Sequence, residues 1–154
     1  MKEKTFKDIE HMLYSYKRVK AEINDIDIEI SEILDNEYEG ISGQHNEVHE
    51  GSPTNKISST VESQVLSREN EVEYLRRIKR SKERYIKRID NMITILSDNE
   101  RQFITLKYFE CKRHKDIVSI MSLSEDGISS KRRVVISSLV DFINKSKKHT
   151  LNTY

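Results

Sequence analysis

Apolar residues in the first third of the chain recur every three or four positions. They are Ile9, Leu13, Tyr16, Val19, Ile23, Ile26, Ile30 and Ile33. This near-heptad stripe slips once, around Val19, and is typical of a long amphipathic helix. Residues 25–30 also alternate as a strand would, but their flanks keep the helical spacing and contain no turn signal. We therefore predict a helix over residues 1–36.

A second helical stripe runs from Ser58 to Leu96. Its apolar positions are Val61, Val65, Val72, Leu75, Ile86, Ile89, Ile93 and Leu96. A hydroxyl at Ser58, with Glu62 shortly after, predicts the start of this helix. The helix is strongly basic in the middle, whereas the first helix is acidic. We predict that the two pair as an antiparallel hairpin or coiled coil, within one chain or between two.

Between these stripes, residues 37–57 show no periodicity. They contain three of the four Gly and the only Pro, which predicts a flexible loop. The loop also contains His45 and His49, four residues apart. No predicted helix orients this pair, and the intervening Glu47 is one position too late for a zinc-protease motif. We therefore expect neither a metal nor another cofactor.

A capping box opens the last third of the chain. Ser97 precedes Glu100 by three residues, the spacing at which each residue satisfies the other's backbone at a helix start. Residues 103–109 then give a broad apolar face. Residues 111–114 break the pattern and add positive charge.

Two short helices joined by a turn are predicted next. Five apolar residues have the spacing that packs their inner faces together: Ile117, Val118, Met121, Leu123 and Ile128. We predict a first helix over residues 114–121, a turn at 122–124 and a second helix capped by Ser124. Residues 97–146 are grouped as one helix-turn-helix domain. Residues 147–154 are polar and basic and are expected to form a flexible tail.

The predicted fold class is therefore all-α, with a long N-terminal helical hairpin or coiled coil (residues 1–36 and 58–96) before the helix-turn-helix domain. Composition agrees, because 34% charged residues, four Gly and one Pro favour elongated helices over a large globular core. A single Cys allows no disulfide within the chain and favours the cytoplasm. Neither a signal peptide nor a membrane span is expected.

The net charge of +1 conceals an asymmetry along the chain. Residues 1–50 contain 6 Lys/Arg and 13 Asp/Glu, whereas residues 101–154 contain 11 and 5. A basic terminal third is typical of a nucleic-acid surface, although solvated helix faces would give the same balance.

The predicted turn motif supplies the candidate DNA contacts, most of them on its second helix. These residues are Lys115, Ser124, Glu125, Asp126, Ser129, Ser130, Lys131, Arg132 and Arg133. Ser and Arg near a helix start can reach base edges, and Lys and Arg along its sides can bind phosphates. Four further cations extend the predicted phosphate contact: Arg101, Lys107, Lys112 and Arg113.

Residues 99–110 and 115–139 resemble region 4 of bacterial sigma factors. The matching residues are Glu100, Arg101, Leu106, Tyr108, Phe109, Asp116, Ile117, Met121, Leu123, Ser124, Ile128 and Leu139. The resemblance implies a sigma-like helix-turn-helix that binds the upstream element of a promoter. The sequence departs from this pattern at Val118, where a small Ala is usual, at Ser122, where Gly is frequent, and at Gly127 inside the second helix.

Nearly the whole chain is similar to the ArpU/RinA-like phage late-gene transcriptional regulators. The features that match are an acidic amphipathic helix, a loop containing Ser-Pro-Thr, and Ser-Ser-x-Val-Glu leading a long helix into the sigma-like module. This resemblance implies a DNA-binding activator of packaging and structural genes, which acts on double-stranded promoter DNA in the bacterial host cell. We expect host RNA polymerase as a partner, and a second copy or another protein on the N-terminal helices.

Two other function classes remain open. A small terminase-like DNA-packaging protein also joins a helix-turn-helix to oligomerising helices, although normally with the DNA module first. The second alternative is a protein-interaction module whose helix-turn-helix no longer contacts DNA. We expect no enzyme, because Cys111 has neither a second Cys nor a catalytic triad, and no phosphate-binding Gly loop is present.

Overall fold

The structure is a computed structural model that describes the backbone of residues 4–41 and 55–151 and the side chains of residues 4–35 and 65–146. Within these ranges the chain is helical and contains no strand, so the predicted all-α class is confirmed. Its elements are α1 (Phe6–Ile41), α2 (Asn55–Ile93), α3 (Asp98–Ile104), a π-helical segment (Thr105–Phe109), α4 (His114–Met121) and α5 (Glu125–Leu151).

The long helices extend further than the sequence pattern predicted. α1 ends at Ile41 and α2 begins at Asn55, so the predicted loop at 37–57 is wrong at both ends, and Ser58 lies inside α2 instead of capping it. The expected flexible tail is also wrong over 147–151, because α5 continues to Leu151. Adding residues to an existing helix costs less free energy than nucleating a new one, so a helix can continue beyond the end of its apolar stripe. The remaining loop residues, which include both loop histidines, lie outside the described part of the chain.

The chain divides into two compact units that do not follow the predicted domain boundaries. The terminal unit comprises Met1–Lys20 and Arg84–Tyr154, and the central unit comprises Ala21–Glu83. α1 and α2 each contribute to both units. The predicted DNA-binding domain at residues 97–146 is therefore part of a larger unit that also contains the start of α1 and the end of α2.

The core of the terminal unit is built from every helix that passes through it. Its buried residues are Ile9, Met12, Leu13, Ile89, Met92, Leu96, Phe103, Ile104, Leu106, Tyr108, Ile117, Ile128, Val135, Ile136 and Leu139. Complete burial of one such side chain contributes about 1.5–3 kcal/mol. The first turns of α1 are thus as much a part of this core as α4 or α5.

In the central unit, oppositely charged residues of α1 and α2 pair. Asp27 accepts from Lys79 at 2.6 Å, and Glu22 accepts from Lys82 at 2.7 Å. Both pairs are partly exposed, so solvent screening keeps their contribution to stability small. Burial of apolar residues such as Ile26 contributes more to this unit. Over the described residues, no helix has an apolar stretch that could cross a membrane.

The chain leaves the helical conformation at residues 122–124, where the sequence predicted a turn. Ser122 is the C-cap of α4 and has φ 51° and ψ 42°, in the left-handed region. Its N–H donates to the carbonyl of Val118, and the N–H of Leu123 donates to the same carbonyl at 3.3 Å. A residue with a Cβ pays about 1–2 kcal/mol for this backbone conformation.

Ser122→Gly is therefore expected to raise the free energy of unfolding by about 0.5–1 kcal/mol, because glycine adopts this conformation without the steric cost. Ser137→Gly is the matched control. Ser137 is exposed within α5, where the same change should lower the free energy of unfolding by about 0.5 kcal/mol. Urea denaturation measures both. A shift of both midpoints in the same direction would contradict this account of Ser122.

Candidate nucleic-acid interface

α5 begins directly after Ser124, the residue that the sequence predicted as its cap. The Ser124 hydroxyl accepts from the N–H of Gly127 at 3.0 Å, and the Ser124 carbonyl accepts from the N–H of Ile128 at 2.9 Å. A Cβ at Gly127 would lie 3.2 Å from the Ser124 hydroxyl oxygen and 3.6 Å from the Cβ of Leu123. Glycine at 127 therefore leaves room for the cap, which compensates for its low helix propensity.

One side of α5 is buried and the opposite side is open. Ile128, Val135, Ile136 and Leu139 are buried in the core. Because successive residues of a helix are about 100° apart, Asp126, Ser130 and Arg133 lie on the opposite side. These three are exposed, as are the candidate residues Ser124, Glu125 and Ser129 near the same helix start. We call Asp126, Ser130 and Arg133 the outward face of α5.

The three successive cations of α5 have three different environments. Lys131 donates to the side-chain oxygen of Asn99, at the start of α3. Arg132 donates to Glu10 of α1 through Nε at 2.7 Å and through a terminal nitrogen at 2.8 Å. The side chain of Arg133 makes neither a hydrogen bond nor an ion pair with any residue that the structure describes. Of the three, only Arg133 belongs to the outward face.

Glu10 joins α1 to both the π-helical segment and α5. Besides its two bonds from Arg132, its carboxylate accepts from the Tyr108 hydroxyl at 2.7 Å. The Arg132 guanidinium also lies 5.3 Å from the centre of the Phe6 ring. The side chain of Glu10 is 15% exposed and that of Arg132 is 46% exposed. We call Glu10, Tyr108 and Arg132 the Glu10 cluster, and it directs Arg132 toward α1 and away from the outward face.

The Glu10 cluster stabilises the charge state of each of its members. The hydrogen bond from Arg132 lowers the pKa of Glu10, and the bond from Tyr108 reinforces this against the opposing effect of burial. Burial, followed by the hydrogen bond to the Glu10 carboxylate, raises the pKa of Tyr108. The hydrogen bond to Glu10 raises the pKa of Arg132. At neutral pH the cluster is thus a carboxylate held by a neutral phenol and a guanidinium.

The π-helical segment, which the sequence pattern did not predict, carries Tyr108 into the core. Its hydrogen bonding is wider than that of an α-helix, because the N–H of Glu110 donates to the carbonyl of Thr105, five residues back, at 2.9 Å. The Tyr108 ring packs edge-on against Tyr14 and Phe103, with ring centres 4.8 Å and 6.3 Å apart. Tyr108 is thereby fixed at both its ring and its hydroxyl.

The other predicted phosphate contacts divide into paired and unpaired cations. Three have nearby acidic partners: Arg101 with Asp98 at 3.0 Å, Lys112 with Glu110 at 3.8 Å, and Arg113 with Asp116 at 3.2 Å. Such surface pairs are weak and exchange readily for another anion. Lys107 and Lys115 have no ion pair or hydrogen bond with the side chains that the structure describes. Lys115 is exposed and Lys107 is partly buried.

Lys107 lies at a cavity of about 310 Å³ in the terminal unit. The residues that line this cavity are Glu10, Tyr14, Phe103, Lys107, His114, Ile128, Ser129 and Arg132. Only three of them, Lys107, Ser129 and Arg132, were among the predicted site residues. The others come from α1, α3, α4 and α5, and no spacing in the sequence relates these segments.

Comparisons with protein-family models, curated proteins and solved structures found no match.

Proposed function

We propose that this chain is a DNA-binding transcription activator whose helices α4 and α5 form a helix-turn-helix. The observation that carries the proposal is the outward face of α5. Asp126, Ser130 and Arg133 are exposed on the first turns of a capped helix, opposite the side that packs on α4 and the core. A recognition helix presents polar side chains near its start in this way to the base edges of the major groove.

The side chains of the outward face are suited to contacts with base edges, and a neighbouring cation is suited to a phosphate. A guanidinium such as that of Arg133 can bind guanine with two hydrogen bonds, and the Ser130 hydroxyl can donate to or accept from any base edge. Asp126 can accept from the amino group of cytosine, the role in which a carboxylate is favourable in a groove. Lys115 is exposed on the first turn of α4, and its ammonium would bind a phosphate in this proposal.

The resemblance to ArpU/RinA-like regulators supports a more specific role. In this proposal the protein is encoded by a phage, binds late promoters in the cytoplasm of the bacterial host, and recruits host RNA polymerase by surface contact. Transcription of packaging and structural genes would follow. The sigma-like motif supports polymerase as the partner, because region 4 of a sigma factor works at promoters together with that enzyme.

The central unit is proposed as the part that meets a second copy or another protein. Residues 21–35 of its α1 segment include six acids and no cation, whereas its α2 segment has basic residues at Arg76, Arg77, Lys79, Arg80 and Lys82. Ile28, Leu66 and Tyr74 are exposed apolar side chains of the same unit. Opposite charges and scattered apolar side chains support association through a coiled coil.

DNA binding is tested with the purified protein and a fluorescent 40-bp duplex taken from the DNA that flanks its gene. We expect the logarithm of affinity to fall steeply with the logarithm of salt concentration, by about 0.9 for each phosphate contacted. Arg133→Gln should weaken binding about tenfold, since one good contact is worth roughly 1.4 kcal/mol. Footprinting with and without host RNA polymerase then locates the site.

Lys87→Gln is the matched control, because Lys87 is an exposed cation of the same unit that belongs to α2 and not to the outward face of α5. Each variant loses one positive charge, so a difference in their DNA affinity shows that the position of the cation matters. A shallow salt dependence for the wild type, or equal affinities for the two variants, would exclude the outward face as a DNA-reading surface.

A further inference from the structure

We propose that the cavity beside α5 is a phosphate-binding pocket that takes one backbone phosphate of bound DNA. This inference rests on the DNA-binding function proposed above, and it adds a specific anion site that the outward face lacks. A phosphate of the DNA backbone and free inorganic phosphate share the anionic oxygens that the pocket would recognise.

The polar groups without a partner in the cavity are suited to an anion. Lys107 and His114 line the cavity and have no hydrogen bond or ion pair with any side chain among the described residues. Ser129 adds a hydroxyl that can donate. An ammonium, an imidazole and a hydroxyl from three separate segments therefore converge on one space that no side chain of the described chain fills.

The start of α4 adds to this positive environment. His114 is its first residue, and the preceding Arg113 provides no side-chain hydrogen bond to cap the helix. The first N–H groups of a helix carry a partial positive charge that favours anions. His114 thus contributes both a side chain and its position at the positive end of α4.

The one carboxylate in the cavity is already neutralised. Oε1 of Glu10 accepts from both Tyr108 and Arg132, and Oε2 accepts from Arg132. Two of these three bonds come from a cation. An anion entering the cavity therefore meets the Lys107 ammonium, which is close enough to Glu10 to help lower the pKa of that carboxyl but forms no ion pair with it, whereas the charge of Glu10 is largely cancelled by Arg132.

The position of the cavity favours a phosphate of the DNA backbone. Its volume of about 310 Å³ leaves ample room for one phosphate group. Ser129 lines the cavity and precedes Ser130 of the outward face by one residue. A duplex that places base edges at Ser130 would therefore bring its sugar-phosphate backbone next to Ser129. Contacts of this kind fix the register of a recognition helix on DNA.

The test compares Lys107→Gln and His114→Gln with Lys87→Gln on the same fluorescent duplex between 50 and 200 mM salt. We expect Lys107→Gln to reduce the salt slope by about 0.9 and the affinity about tenfold. His114→Gln should weaken binding in the same direction. Lys87→Gln, which removes the same charge as Lys107→Gln outside the cavity, should leave the slope nearly unchanged. Thermal unfolding of each variant checks that it remains folded.

A second measurement separates the two sources of phosphate and keeps the pocket testable without DNA. Inorganic phosphate is titrated into the ¹⁵N-labelled wild-type protein, and the amide signals of Lys107, His114 and Ser129 are followed. If the variants change the salt dependence of duplex binding, while inorganic phosphate shifts the three amide signals only weakly, the pocket binds a phosphate of the DNA backbone. Saturable shifts, lost in Lys107→Gln, without any duplex binding would retain the pocket for free phosphate and reject the DNA-binding function.

The reverse result rejects the pocket alone. If the wild type binds the duplex with a steep salt slope, while Lys107→Gln and His114→Gln behave as Lys87→Gln does and phosphate shifts none of the three amides, the cavity binds no phosphate. DNA binding through the outward face would then stand without it.

Discussion

Replacing Tyr108 with alanine is expected to lower the free energy of unfolding by about 3–5 kcal/mol. The Tyr108 side chain is 1% exposed, packs edge-on against Tyr14 and Phe103, and donates its hydroxyl to Glu10. The substitution leaves a ring-sized cavity and also removes one hydrogen bond of Glu10. Such a loss is a large fraction of the roughly 5–15 kcal/mol that stabilises a typical domain. Urea denaturation followed by circular dichroism measures it.

Tyr108→Phe separates the ring from the hydroxyl. It keeps the packing and removes only the bond to Glu10, so we expect a loss of about 1 kcal/mol. If Tyr108→Ala cost no more than Tyr108→Phe, the ring would contribute nothing to the core, and the described packing of the π-helical segment would be wrong.

Glu10→Ala and Arg132→Ala are expected to lower the free energy of unfolding by about 2 kcal/mol each, and the double variant by clearly less than their sum. The pair is less exposed than surface pairs, which are worth about 0–1 kcal/mol, but less buried than pairs whose breakage costs about 3–5 kcal/mol. We therefore expect a coupling energy of about 1–2 kcal/mol from a double-mutant cycle. Denaturant unfolding of the four proteins supplies the cycle.

Arg113 and Asp116 are the control pair, because they too are an arginine and a carboxylate in ion-pair contact, but they lie at the more exposed start of α4. Their coupling should stay below about 0.5 kcal/mol. Equal coupling energies for the two pairs would mean that the Glu10–Arg132 contact is only a surface contact and does not tie α1 to α5.

Acid titration gives a second measurement of the same contact. The pKa of Glu10 in the folded protein is lowered from its ordinary value of 4.5. The folded state therefore favours the carboxylate, and this contribution is present above about pH 4.5 and is lost as pH falls through the lower, folded-state pKa. Glu10→Gln should accordingly be less sensitive to acid than the wild type over that interval.

Local signals in the sequence predicted local structure well. Glu100 accepts from the backbone N–H and the hydroxyl of Ser97, at 2.9 Å and 2.7 Å, which confirms the predicted capping box. Ser124 caps α5 as expected, and Ser122 has the left-handed backbone for which Gly is frequent. Each of these features depends on residues within a few positions of one another, so the sequence alone was enough to predict it.

Long-range contacts could not be read in this way. Glu10 and Arg132 are 122 positions apart, and nothing in the periodicity of either helix links them. Arg132 was grouped with Arg133 because they are adjacent in sequence, yet adjacent helical residues point about 100° apart. The one signal for this contact in the sequence was Glu10 itself. It is an acid next to the apolar stripe of α1, and a carboxylate buried there requires a hydrogen-bonding or oppositely charged partner. The cavity residues were missed for the same reason.

The π-helical segment at Thr105–Phe109 has a consequence for comparing this chain with distant relatives. A π turn accommodates one residue more than an α-helical turn. Deleting that residue would restore a regular helix but rotate everything after it by about 100° relative to α3. In homologues with a single-residue gap at this point, α4 and α5 would therefore have a different direction relative to α3. Such a gap would identify a subgroup with a different arrangement of the last two helices.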